Sequence, residues 1–258
     1  MLQKLRRSNL VNIYFGARGT FLTCFTLMFF YFLFSVLTNT FLIPSDKFVG
    51  NIPSILRGEY WYIITGPLFH YEWHHLMWNL LPIAVLGPFI EWKIGSWVFV
   101  TSFFVSGWVG SSIFCFVFGE FIQSILGIGL YLCVFYGASI AVYALFPLTI
   151  AAFLIKEPEY SFITKAVVIG AFSYLILGLF PKADASDAQR FVEIAHVSGF
   201  IAGIIGAIVV SVIKLRRKVV SFSFADQQIR RILLWYGHNC FAFKFCYLNP
   251  VFDPVPGY

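Results

Sequence analysis

The sequence predicts an all-α membrane protein: a bundle of six transmembrane helices with both termini on the cytoplasmic side. Three observations lead there. Hydrophobic residues make up 59% of the 258 positions and charged ones 12%, with a mean hydropathy of +0.81, whereas a soluble domain carries roughly 25% charged residues. Six apolar segments approach the roughly 20 residues that cross a hydrocarbon core about 30 Å thick. Basic residues gather at the two ends of the chain, and the net charge of +6 suits an anionic membrane surface better than nucleic acid. No nucleic-acid motif is present.

The six segments fall at 21–43, 73–92, 97–118, 134–155, 163–181 and 191–213. Lys4, Arg6, Arg7 and Arg18 precede the first; Lys214, Arg216, Arg217, Lys218, Arg230 and Arg231 follow the last. The positive-inside rule puts both ends in the cytoplasm, as an even number of crossings requires. The first segment is too long for a signal peptide and ends in "TNTFLIPSD", without a small-residue cleavage site, so it reads as a retained anchor. Residues 1–20 then form a cytoplasmic segment, 21–213 the membrane domain and 214–258 a basic, aromatic tail. In that tail "IRRILLWYGHNCFAFKF" suits the inner leaflet, and Pro250, Pro254 and Pro256 oppose a helix. The five cysteines are odd in number and show no ligand spacing.

Four polar residues inside these apolar segments matter most: His75 and Asn79 in the second, Ser139 in the fourth, His196 in the sixth. Polar groups at membrane depth are costly and are kept mainly where they face a bundle interior or a cavity. The predicted topology runs all three segments inward, placing the four residues in one layer roughly a quarter of the way into the hydrocarbon. A serine hydroxyl is a weak nucleophile until a base takes its proton, and His196 is the base if the fourth and sixth segments touch. Small residues permit that approach: Gly137, Ala138, Ala141 and Ala144 on one, Ser198, Gly199, Ala202, Gly203 and Gly206 on the other. Glu193 is expected at the interface, so the pattern is a Ser-His dyad rather than a triad. His75 and Asn79, four residues apart, share a helix face. They can donate to a developing oxyanion, as can the backbone N–H of Ser139 near a helix start.

At these residues the chain resembles the rhomboid family of intramembrane serine proteases. "HYEWHHLMWN" (70–79) puts His75 and Asn79 on the family's oxyanion positions, and His70 on a further histidine common upstream. "LGPFIEWKIG" (86–95) puts Gly87, Glu91 and Gly95 on its G-x-x-x-E-x-x-x-G pattern. "YGASIAVYAL" (136–145) puts Ser139 on the nucleophile and Tyr143 on a tyrosine that packs against the catalytic histidine. "AHVSGFIAG" (195–203) puts His196 on the base, with Gly199 and Gly203 on its helix-packing glycines. Trp61 in "RGEYWYIITGPLF" matches the tryptophan of a first-loop tryptophan-arginine motif. The blocks keep family order over residues 57–206. The resemblance implies a six-helix rhomboid-like bundle and a serine endopeptidase that cuts transmembrane segments of membrane proteins without a cofactor. Its partners are then transmembrane substrates and the bilayer. The compact core leans towards the bacterial plasma membrane.

Two positions depart from the family pattern. Ile140 stands where G-x-S-G has its last glycine, and Tyr62 replaces the arginine after Trp61. A branched side chain beside the nucleophile can narrow the site or push the fourth segment from the sixth, at about 1–3 kcal/mol, unless a neighbour shrinks to admit it. Ile140 therefore keeps a second reading open: a catalytically inactive rhomboid-like protein that binds transmembrane helices, although such relatives usually lack the serine or the histidine. Zinc is not expected, because His70 and His74 with Glu72 between them miss the His-Glu-x-x-His order and lack a third ligand. No inverted repeat or broken-helix pair suggests a transporter. Glu91 is expected to be a structural partner at the inner interface, and His70 and His74 to support the oxyanion region.

Overall fold

The computed structural model describes residues 16–126, 134–154, 162–177, 179, 186 and 189–214. Most of the predicted N-terminal segment and nearly all of the basic tail lie outside the described residues. The chain divides into a unit through Val210 and a second, Ser211–Tyr258, of which only 211–214 are described.

Helix α1 spans Arg18–Asn39 and has no side-chain cap of its own. Its cap comes from a distant residue. Glu91 accepts the Gly19 N–H at 2.8 Å through Oε1, and the Thr20 N–H and hydroxyl at 2.7 and 2.9 Å through Oε2. The Ser96 hydroxyl donates to the same carboxylate at 2.5 Å. A carboxylate at a helix N-terminus meets the positive end of the helix dipole and satisfies donors that the helix leaves unpaired. This cap starts α1 three residues ahead of the predicted segment.

The loop after α1 is structured. A 3₁₀ turn at Ser45–Lys47 leads to strand β1, Gly50–Asn51, and to α2, Ile52–Leu56, where Asn51 accepts the Ser54 N–H and Pro53 lies in the first turn. Helix α3, Trp61–Thr65, and a 3₁₀ turn at Gly66–Leu68 follow. Tyr62 is buried, and its hydroxyl donates to the Asp46 carbonyl at 2.7 Å. Its ring fills the space a Cβ on Gly50 would need.

Helix α4, Trp73–Ile94, tolerates Pro82 and Pro88 in its interior. It joins α5, Ser96–Phe116, through Gly95 alone at φ +94°, a conformation that favours glycine. Trp73 and Trp92 are exposed on α4; nineteen residues apart, they are separated by roughly 28 Å, which matches two interfacial anchors across a hydrocarbon core. After α6, Gly119–Leu126, strand β2, Val134–Phe135, pairs antiparallel with β1, Gly50 opposite Phe135. Then come α7, Ser139–Leu154, α8, Phe162–Leu177, and α9, Gln189–Lys214.

Among the described residues, α1, α5 and α9 are long and apolar enough to cross a membrane, and α7 is a shorter apolar helix. Helix α7 is the centre of the core: residues 140–149 are all buried, as expected of a helix apolar on every side. Close packing on α5 depends on Gly107, where an added Cβ would lie 2.9 Å from that of Ala141. The fourth segment differs from its predicted limits. Its first residues are a strand and a turn, so Ser139 opens the helix instead of lying five residues inside a span. The run before Ser139 is apolar enough for either structure, and Gly137 at φ +93° separates them.

Candidate active site

The turn that delivers Ser139 is held from the side of the first loop. The N–H of Gly137 donates to the Gly66 carbonyl at 2.9 Å, and the N–H of Ala138 donates to Nε2 of His70 at 3.2 Å. Gly137 is required twice over, by its positive φ and because a Cβ there would lie 2.6 Å from Cε1 of His75. The imidazole of His75 therefore rests on the turn just before the serine. Ser139 is half-buried and begins α7. As a first helical residue its N–H has no intrahelical acceptor, whereas the two preceding N–H groups are already committed.

His70 organises this region. It is fully buried, and its Nε2 also receives Nδ2 of Asn79 at 3.0 Å. Accepting two donors at Nε2 puts the ring proton on Nδ1. Burial, aided by the neighbouring His75, lowers the His70 pKa to about 3. The ring is thus a neutral acceptor at ordinary pH. It meets His75 edge-on at 5.1 Å. Asn79, itself buried, lies one turn along α4 from His75, so two oxyanion candidates and one fixed acceptor surround the serine turn. Tyr136 closes the group, with its ring 5.4 Å from His75 and 4.6 Å from Tyr71.

His196 comes from α9. Its ring stacks on Tyr143 at 3.9 Å and 17°, and Tyr143 lies one turn beyond Ser139 on the same helix. The two helices meet backbone against backbone. A Cβ on Gly199 would run into the Ile140 carbonyl, and one on Gly203 would lie 2.6 Å from the Ala144 carbonyl oxygen. Gly199 is one turn past His196, and Ile140 directly follows Ser139. This contact brings the turn of α9 that carries His196 against the first turn of α7.

Other candidates lie elsewhere. Glu91 is at the opposite end of α4, where it caps α1. His74 is exposed and pairs with Glu72 at 2.8 Å. Sequence reasoning passed over Tyr136, Gly66 and Gly110. Tyr136 and Gly66 act through ring or backbone contacts between distant segments and leave no local pattern, whereas Gly110, spaced three from Gly107, belongs to a small-residue face.

The architecture defines a helical integral membrane protein with polar side chains gathered at one end of its buried core. The rhomboid domain family model matches residues 57–213, well over half of the chain. The chain belongs to the rhomboid family, whose members are mostly intramembrane serine proteases alongside inactive relatives. No curated protein matches it.

Proposed function

We propose that this protein is an intramembrane serine endopeptidase. Its reading is a Ser139-His196 dyad with His75 and Asn79 as oxyanion donors, acting on transmembrane segments of other membrane proteins. The observation that carries it is the glycine-mediated contact of α7 with α9, one residue from Ser139 and one turn from His196, together with the Tyr143 stack on His196.

In this mechanism the Ser139 hydroxyl attacks the scissile carbonyl while His196 takes its proton. His75, Asn79 and the Ser139 N–H stabilise the oxyanion. The carbonyl reforms as His196 gives its proton to the leaving amine. Water, deprotonated by His196, then hydrolyses the acyl-enzyme and the proton returns to Ser139. Gly137, Gly199, Gly203, Tyr143 and His70 support this geometry. No cofactor takes part.

The same reading gives six crossings, both termini cytoplasmic, a membrane domain over 21–213 flanked by segments 1–20 and 214–258, and residence in a bacterial plasma membrane. Substrates enter from the bilayer, with small residues near the scissile bond and helix-destabilising residues beyond it. The test is fluorophosphonate labelling of the detergent-purified protein, with Ser139→Ala and His196→Ala alongside. Labelling of the parent that disappears in both variants supports the dyad. A folded parent that resists labelling at high probe concentration favours the helix-binding alternative.

A further inference from the structure

Ile140 sits at a junction of three helices. Its Cγ2 occupies the space beside Gly110 of α5, where an added Cβ would lie only 2.5 Å away. Its own backbone lies against Gly199 of α9. Gly110 also faces α9 directly, since the same added Cβ would lie 3.1 Å from Gly199 Cα and 3.3 Å from the Ser198 carbonyl oxygen. One small residue on α5 and one on α9 thus receive a single branched residue on α7. The Ile140 side chain is 2% exposed and belongs to a cluster with Ile52, Ile55, Tyr62 and Phe114. It packs towards α5, the first-loop helices and, through Phe191 and Ala195 of the same cluster, the start of α9.

We infer that Ile140 is a positioning residue: the Gly110 notch holds its side chain, and through its backbone it fixes the separation of Ser139 from His196. The inference deepens the dyad reading and rests on it for its catalytic meaning. The physical reason is that the residue is held from both sides. Its backbone can move away from Gly199 only if its side chain moves deeper into α5, where Gly110 leaves no slack. It can move towards α5 only by opening the contact with α9. In this chain the isoleucine is an adapted part of the site, and making it smaller loosens the dyad instead of relieving it.

Two readouts separate this inference from the dyad reading. The first is the geometric one: the rate of oxidative cross-linking in Ser139→Cys/His196→Cys protein with all native cysteines replaced by alanine. Ile140→Ala and Gly110→Ala, each added singly, should slow it, and Gly110→Ala/Ile140→Ala, which relieves the clash at Ile140 Cγ2 but leaves the added Cβ 3.1 Å from Gly199 Cα, should recover part of the loss caused by Gly110→Ala. The second is fluorophosphonate labelling in the native dyad, measured on folded protein well below each Tm. Each single variant should label slower by on the order of tenfold, as small displacements of reacting groups do, with partial recovery in the pair. Unchanged cross-linking and labelling in folded single variants would overturn the inference and leave Ile140 as ordinary packing. If the Ser139→Cys/His196→Cys protein cross-links but the native dyad does not label, the dyad reading alone is refuted, and the slowed cross-linking of the single variants still supports the junction.

Discussion

Two buried polar residues carry separable consequences. Glu91 accepts from two backbone N–H groups and two hydroxyls, and its removal strands buried donors on α1. Glu91→Ala is expected to cost about 1–3 kcal/mol or more, read as a lower Tm in detergent, while labelling of the remaining folded protein stays at the parental rate. An unchanged Tm would dismiss the cap. His70 predicts a pH dependence. Its folded pKa of about 3 lies below the ordinary 6.5, so below pH 6.5 the unfolded chain binds the extra proton. The stability associated with neutral His70 is complete above about pH 6.5 and declines as pH falls towards 3, by up to about 1.4 kcal/mol per pH unit. Tm measured from pH 7 down to 4 should fall less steeply in His70→Asn than in the parent. Parallel slopes would place the titrating group elsewhere. The role of His70 was only partly legible in the sequence, because its bonds to Asn79 and Ala138 join three segments and no spacing rule connects them. Ser139, His196, His75 and Asn79 were legible because polar residues stand out against apolar segments.

At the scale of elements, α7 is the helix around which the others are arranged, and its contact with α9 depends on the absence of side chains. Gly203→Val places a branched side chain against the Ala144 backbone, which cannot move aside as a flexible side chain would. The expected loss is at least the 1–3 kcal/mol typical of overpacking, with labelling reduced as α9 and His196 are displaced together. Gly206→Ala, whose Cβ would meet the Ser106 hydroxyl at 3.0 Å and Leu148 Cδ2 at 3.9 Å, both side-chain atoms, should be much milder. Equal effects from the two would show that α7 and α9 do not meet closely at Gly203. The long helices were readable from their apolar length, and the small residues on α9 announced a close neighbour. The start of α7 was not readable, since Val134 and Phe135 satisfy a strand and a helix equally. Their partner, Gly50–Asn51, lies far away in sequence, and only that pairing decides between the two. Ile140 looked like an obstacle for a related reason: its receiving notch, Gly110, belongs to another helix.

For the molecule as a whole, the direction of α4 separates two ends with different tasks. The end near Trp73 holds the serine turn, His70, His75 and the β1–β2 pair. The end near Trp92 holds Glu91, the start of α1 and the Gly95 turn. Arg18, the first residue of α1, belongs to this second end, because α1 begins where Glu91 binds it. On the proposed topology, with both termini cytoplasmic, the Glu91 end faces the cytoplasm and the serine turn the outer side. In the proposed mechanism this orientation decides which compartment supplies water to the acyl-enzyme and receives the outward cleavage fragment. It can be tested without any substrate. In a background with the native cysteines replaced by alanine, Glu59→Cys lies in the first loop and Trp97→Cys, at a position 77% exposed, lies beside the Gly95 turn. A membrane-impermeant maleimide applied to intact spheroplasts should label the first and reach the second only after permeabilisation. The reverse pattern would invert the bundle, put the serine turn on the cytoplasmic side, and require the basic N-terminus to have crossed the membrane against its charge.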